Sequence, residues 1–117
     1  MKFKDITSAK QKLVEVILVE YIAVLTYDNN VQEKNIKMAF KIEQYIKENF
    51  DIKEMKDLLN HDIPAVQLWA AKLLLPYYEE ISLKVLDEIS KKNIPHSSSN
   101  ARIIFCEWKK EPITFPY

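Results

Sequence analysis

The side chains of this sequence that can act as bases, nucleophiles or metal ligands are few and widely spaced. His61 and His96 are its two histidines, and Cys106 is its one cysteine. Metal sites combine several such ligands at short spacing, and neither histidine has a second ligand placed in that way. The His61-Asp62 pair is more typical of a turn than of a catalytic dyad. A pair of Cys106 and His96 is a possible nucleophile and base, but no oxyanion motif accompanies it. We therefore predict no enzyme activity, no catalytic residue and no metal-binding residue.

The absence of glycine narrows the chemistry further. Phosphate-binding loops, dinucleotide fingerprints and nucleophile elbows all contain glycine, and this sequence has none. No cofactor is therefore expected. The acidic pairs Glu79-Glu80 and Asp87-Glu88 are potential metal ligands, but such pairs occur more often at helix starts or on solvated helix faces.

Length and composition describe one ordinary globular domain, residues 1–117. The chain is 48% hydrophobic and 29% charged, with 17 basic and 17 acidic side chains. A nucleic-acid-binding protein usually has a basic excess, so no direct contact with nucleic acid is expected. The apolar run from Leu13 to Leu25 is interrupted by Glu15 and Glu20, which argues against a membrane span. A single cysteine fits a reducing compartment, and we expect a cytoplasmic protein without a signal peptide.

The positions of asparagine indicate an all-helical chain. Without glycine, asparagine is the next best residue for the left-handed position that ends a helix. Asparagines occur wherever the helical periodicity lapses, at Asn29, Asn30, Asn49, Asn60 and Asn93. We predict about six helices, paired as antiparallel hairpins in a HEAT-like (armadillo-like) stack.

Hydrophobic periodicity gives the approximate bounds of these helices. The first begins at Thr7 or Ser8 and ends near Tyr27, and the second covers about 30–48. A short amphipathic helix carries Met55, Leu58 and Leu59. The fourth covers 64–75 with Pro64 in its first turn, the fifth covers about 78–92 with Ile81, Val85, Leu86 and Ile89 facing inward, and the sixth carries Ala101, Ile104, Phe105 and Trp108 on one face.

Several residues on these helices carry specific expectations. Trp69, Ala70 and Leu73 are predicted to form the central packing layer. Asn35 is predicted to be buried and to tie down a loop or a helix end. The first helix is apolar nearly all round, which favours a central position in the core. The alternative is an exposed apolar face that binds a partner or a second copy, giving a homodimer. The aromatic tail from Ile113 to Tyr117 either folds back on the last hairpin or remains free for a partner.

Charge placement points to a surface for a basic partner. From Leu73 to Leu83 the only charged residues are Glu79 and Glu80, which follow Tyr77 and Tyr78. A second acidic stretch lies between Leu13 and Gln32, which holds three acidic residues, Glu15, Glu20 and Asp28, and no lysine or arginine. Acidic groups beside exposed tyrosines suit a protein interface, although ordinary solvated turns explain them equally well.

The segments around the two tryptophans resemble a known family. His61-Asp62, Pro64 and Val66-Gln67-Leu68-Trp69-Ala70-Ala71 resemble the central motif of a small bacterial HEAT-like family, catalogued mainly as a domain of unknown function. The likeness extends to Asn35, to the segment 85–89 and to the closing segment from 100 to 110, which contains Glu107-Trp108-Lys109-Lys110. Two departures stand out: Gln67 replaces the usual arginine, and Glu111 replaces a common glycine.

The resemblance implies a function as well as a fold. Members of that family occur beside polymorphic toxins, including those of contact-dependent growth inhibition, and are implicated as immunity proteins. By that likeness the chain is expected to bind a toxin nuclease that acts in the cytoplasm, with transfer RNA as the candidate substrate, and to block its active site. We expect the partner-binding residues to be Tyr77, Tyr78, Glu79, Glu80, Asp87 and Glu88. The alternative is a protein–protein interaction scaffold with no toxin partner.

Overall fold

The computed structural model describes residues 1–115, and these residues form an all-α fold, as predicted. No strand occurs among them. The helices are α1 (Ile6–Leu25), α2 (Asn29–Asn49), a 3-10 helix (Ile52–Asn60), α3 (Pro64–Leu74), α4 (Glu79–Ser90) and α5 (Ser97–Lys109). The third predicted helix is therefore a 3-10 helix. With three residues per turn, it buries every third side chain on one face: Ile52, Met55 and Leu58.

The chain divides into two compact units. Met1–Glu54 contains α1 and α2, and Met55–Tyr117 contains α3, α4 and α5. In the first unit α1 packs against α2; in the second α4 packs against both α3 and α5. The predicted single domain and the HEAT-like stacking of hairpins stay predictions.

Both helices of the first unit begin at an aspartate. Asp5 rather than Thr7 or Ser8 precedes α1, and its Oδ1 accepts a hydrogen bond from the Ser8 N–H at 2.8 Å. This bond stabilises the charged carboxylate and lowers the pKa of Asp5. Asp28 performs the same function for α2, with 3.2 Å between its Oδ1 and the Val31 nitrogen. The local sequence thus fixes both helix starts by capping.

Helix α1 is buried along one face only, which corrects the prediction of a fully central helix. Leu13, Val16 and Ile17 are buried, whereas Val19 and Ile22 are exposed. The buried side chains of α2 are Ala39, Ile42 and Ile46. Asn35 is only half-buried, and its Nδ2 donates to the Val31 carbonyl one turn earlier at 2.8 Å, so it ties down no loop.

The second unit has its core where α3 and α4 present small and aliphatic side chains. Val66, Ala70 and Leu74 of α3 and Leu86 of α4 are buried. Trp69 is only half-buried, which corrects its placement in the central layer. The inward prediction for Ile81 is also wrong, because Ile81 is exposed and Ser82 is buried. On α5, Trp108 is exposed and Cys106 is buried.

A positive-φ residue follows three of the helices, α1, α4 and α5, and only one of these three residues is asparagine. The positive-φ residues among 1–115 are Tyr27, Asn93, His96 and Lys110. After α1, the N–H groups of Tyr27 and Asp28 donate to the carbonyls of Val24 and Ala23, at 3.3 and 2.9 Å. This is the Schellman arrangement, in which glycine usually takes the left-handed position. The hydrogen bonds that follow the helix therefore hold a tyrosine in a conformation that its Cβ disfavours.

Two buried serines, Ser82 and Ser98, differ in their hydrogen bonding, and this difference predicts opposite effects on stability. The Ser82 hydroxyl has no hydrogen-bond partner among residues 1–115 and is fully buried. Ser82→Ala is expected to raise the free energy of unfolding by about 1 kcal/mol, because a buried hydroxyl without a partner is unfavourable and alanine favours the helix. Urea unfolding followed by circular dichroism measures the change.

Ser98 provides the matched control for this measurement. Its hydroxyl donates to the Ile89 carbonyl and accepts from the Ile94 N–H, both at 2.7 Å. Ser98→Ala is therefore expected to lower the free energy of unfolding by about 1–3 kcal/mol, since it leaves buried backbone groups without a partner. A loss of stability in Ser82→Ala comparable to that in Ser98→Ala would contradict the assignment of Ser82.

Candidate partner-binding surfaces

The turn before α4 contains the two tyrosines predicted to bind a partner, and Tyr77 is more exposed than Tyr78. The N–H groups of Tyr77 and Tyr78 both donate to the Leu74 carbonyl, at 2.9 and 2.7 Å, which fixes the turn at the end of α3. The Tyr77 side chain is 47% exposed. Tyr78 is half-buried, and the ammonium group of Lys56 lies 4.8 Å from its ring centroid. Tyr77 is thus the tyrosine available to a partner, while Tyr78 is already engaged by a cation.

The acidic pair that follows occupies the first turn of α4. Glu79 and Glu80 are exposed, and no ion pair joins either of them to another residue in 1–115. Carboxylates are favourable at this position because the helix N-terminus carries partial positive charge. Both side chains therefore have a local structural explanation and remain accessible to a basic partner.

The second predicted acidic pair is divided between two roles. Asp87 is half-buried and forms ion pairs with Lys91 at 2.9 Å and with Arg102 of α5 at 3.7 Å. Arg102 in turn donates from Nε to the Thr114 carbonyl at 2.6 Å. Asp87 is thus part of a network that fastens the tail to α5 and is a poor candidate for partner contact. Glu88 is exposed and shares its face of α4 with Lys84, so this end of the helix is mixed in charge.

One tail contact bears on the alternative that the sequence left open, while a role of the tail in partner binding stays a prediction. Through Thr114, the tail folds back on α5, and the guanidinium of Arg102 also stacks over the Phe105 ring at 5.0 Å. The prediction extended to Pro116 and Tyr117, which lie outside the described residues.

Ile81 is a surface residue that the sequence reading missed. It is 42% exposed and lies in the first turn of α4, four positions after Tyr77 in the sequence. The error came from placing Ile81 with Val85 and Ile89, because serine is an unusual core residue. The buried positions 82, 85, 86 and 89 have the i, i+3, i+4, i+7 spacing of a helix face, and this spacing was the available signal.

We define the α4 surface as Tyr77, Glu79, Glu80, Ile81 and Glu88. It combines an exposed aromatic ring and an aliphatic side chain with three carboxylates, all on one compact unit. Aromatic anchors beside charged groups are characteristic of protein interfaces.

A second exposed apolar area lies on the first unit. We define the α1 stripe as Val19, Ile22 and Leu25 of α1 together with Val31 of α2, all of them exposed. Beside it is a groove of about 320 Å³, here called the tip groove, whose lining combines apolar residues with a threonine and one carboxylate. The lining residues are Val19, Ile22, Ala23, Thr26, Asp28 and Val31. The sequence pointed to this region twice, as the alternative of an exposed face on the first helix and as a stretch without basic residues.

The possible catalytic residues are not brought together. Cys106 is fully buried inside α5, whereas His96 is exposed and precedes the first turn of that helix. Ten residues of α-helix separate them by about 15 Å along the axis, which is beyond hydrogen-bond reach. His61 acts within a turn, where its Nδ1 accepts from the Ile63 N–H at 3.1 Å. Within residues 1–115 no group of three or more histidines, cysteines or carboxylates is placed to hold a metal ion.

Over the described part of the chain, every helix is too short or too polar to cross a bilayer. Comparisons with protein-family models, with curated proteins and with solved structures find no match.

Proposed function

We propose that this protein is an immunity protein that binds a cognate toxin and neutralises it by covering its active site. The proposed toxin is a nuclease of a contact-dependent growth-inhibition system that acts in the cytoplasm, with transfer RNA as its candidate substrate. The observation that carries the proposal is the α4 surface, where Tyr77 and Ile81 are exposed beside Glu79 and Glu80. The resemblance of the tryptophan-containing segments to a family whose members are implicated as immunity proteins motivates the same proposal.

The chemistry of nucleases explains why such a surface would inhibit one. A nuclease binds the phosphate backbone of its substrate, so the area around its active site is rich in lysine and arginine. Carboxylates on the inhibitor attract that area and accelerate encounter, while a few buried aromatic or aliphatic anchors slow dissociation. Glu79, Glu80 and Glu88 supply the carboxylates, and Tyr77 and Ile81 supply the anchors. Inhibition then requires occupancy of the active site and no chemical step by the inhibitor.

Co-expression with a toxin, where a neighbouring gene encodes one, tests the proposal. Cells that produce the toxin alone are expected to lose viability, and cells that also produce this protein are expected to survive. A toxin variant lacking its catalytic residue separates neutralisation from reduced toxin expression, because it should still co-purify with this protein. Unchanged killing despite a stable, soluble immunity candidate would refute the proposed function.

A scaffold without a toxin partner is the second candidate, and one observation favours it. Each compact unit carries its own exposed apolar area, the α4 surface on one and the α1 stripe on the other. Two such areas suit a protein that joins two others. Two observations together would favour this function over inhibition. The first is a gene with no toxin-encoding neighbour. The second is the capture of two different partners that compete neither with each other nor with a toxin.

A further inference from the structure

The α1 stripe consists of four apolar side chains that remain exposed to water. Ile22 is 60% exposed in the last turn of α1, and Val19 precedes it by one turn at 40%. Together with Thr26, they follow the i, i+3, i+7 spacing of one outward helix face. This face is continuous with Val31 at the start of α2 and forms one apolar area on the first unit.

The tip groove is a shallow, open depression within this area. Its volume of about 320 Å³ lies at the small end of the range of ligand pockets, which is roughly 300–1,000 Å³. A groove of this size and composition accommodates one or two aliphatic side chains. Apolar side chains that project into a groove from one face of a helix are the usual anchors of helix-in-groove recognition.

The charge of the groove identifies the chemistry of its occupant. Of the described residues that line the groove, only Asp28 is charged. Its Oδ1 accepts the Val31 N–H, and its second oxygen can accept from a cation. No lysine or arginine occurs from Leu13 to Gln32, and Lys12, just before this stretch, lies 3.3 Å from the Glu15 carboxylate. The groove thus offers an incoming chain a carboxylate and no basic group from its own lining.

We infer that the α1 stripe and the tip groove dock an amphipathic helix of another protein, whose apolar side chains are flanked by lysine or arginine. The apolar side chains enter the groove beside Ile22, and a flanking cation reaches Asp28. A second copy of this chain fits less well, because a two-fold interface places the same patch on both sides and would bring two Asp28-lined grooves together.

The inference shares no residue with the α4 surface and does not rest on the proposed inhibition of a toxin. It is tested with the full chain and a fluorescent synthetic helical peptide that carries leucines at i, i+4 and i+7 with lysines around them. The matched probe has the same leucines with glutamates in place of the lysines. Fluorescence anisotropy gives both affinities, and a salt titration reports the electrostatic contribution.

Three variants locate the binding. Ile22→Lys changes an exposed side chain and is expected to weaken binding of the lysine peptide at least tenfold. Asp28→Asn keeps the helix cap, since asparagine caps as well as aspartate, and is expected to weaken binding about threefold and to reduce its salt dependence. Ile113→Lys alters an isoleucine of the tail that is 48% exposed and is expected to leave the affinity unchanged. Circular dichroism of each variant verifies the fold.

Two results would overturn the inference. One is equal affinity for the lysine and glutamate peptides, or equal affinity of Ile22→Lys and the unsubstituted protein for the lysine peptide. The other is a dimer in sedimentation that Ile22→Lys converts to a monomer, which would assign the stripe to a second copy of this chain. Tight binding of the lysine peptide that is lost in Ile22→Lys and reduced in Asp28→Asn supports it.

Discussion

Leu74→Ala is expected to lower the free energy of unfolding by about 3–5 kcal/mol, at the upper end of values for such substitutions. Leu74 is fully buried near the end of α3, and its carbonyl accepts from both Tyr77 and Tyr78, so the surrounding backbone has little freedom to fill a cavity. Because a domain of this size is stable by roughly 5–15 kcal/mol, this loss is a large fraction of the total. Urea unfolding measures it as a shift of the midpoint at unchanged slope.

The same substitution at an exposed leucine provides the control. Leu25 is 42% exposed at the end of α1, and Leu25→Ala is expected to cost less than about 1 kcal/mol. Trp69→Ala is expected to cost less than Leu74→Ala, because the half-buried indole has already kept part of its surface in water. If Trp69→Ala were the more destabilising of the two, the tryptophan would belong to the core after all.

The second large effect concerns the α4 surface and its toxin. Combining Tyr77→Ala with Ile81→Lys is expected to weaken toxin binding at least about 100-fold, since each interface anchor typically contributes 2 kcal/mol or more and tenfold in affinity is 1.4 kcal/mol. The new lysine would also face the basic surface expected of a nuclease. Titration calorimetry with a catalytically inactive toxin gives the affinity, and survival in co-expression gives the biological outcome.

Charge variants distinguish this interface from general destabilisation. Glu80→Lys is expected to slow association and weaken its dependence on salt, because Glu80 is exposed and has no ion pair within residues 1–115. Asp87→Asn is the matched control: it should reduce stability by loosening the contacts with Lys91 and Arg102 and leave the association rate unchanged. Full protection by the Tyr77 and Ile81 double variant would place the toxin-binding surface elsewhere.

The sequence predicted the elements of the fold better than the faces those elements present. Helix type and approximate bounds followed from periodicity and from residues such as Pro64, which does occupy the first turn of α3. The prediction of which side chains are buried was wrong where it followed residue type. Trp69 was assigned to the core because it is large, and Ser82 was left out of the core because it is polar. Hydrophobicity alone does not record which partner helix covers which face, and this information comes only from tertiary packing.

The candidate surfaces were predictable only where they depend on local sequence and not on tertiary packing. The exposed acidic pair before Ile81 followed from local charge placement, because a helix start leaves such residues in solvent. The role of Asp87 did not follow from local charge placement. Its partner Arg102 is fifteen positions away and is positioned by the packing of α4 against α5. The tip groove likewise depends on how the end of α1 meets the start of α2, which no linear pattern of residues specifies.

The use of side-chain-bearing residues in left-handed turns has a consequence for the denatured ensemble. An average chain of this length has about 8 glycines, and each glycine that becomes another residue restricts the unfolded chain by roughly 0.4–1 kcal/mol, or about 3–8 kcal/mol in all. Against this, four positive-φ residues at roughly 1–2 kcal/mol each cost about 4–8 kcal/mol in the native state. The two quantities nearly cancel. Compared with a chain of average glycine content, this sequence has a less flexible unfolded state and more strained turns in its folded state. The free energy of unfolding is almost the same in the two cases.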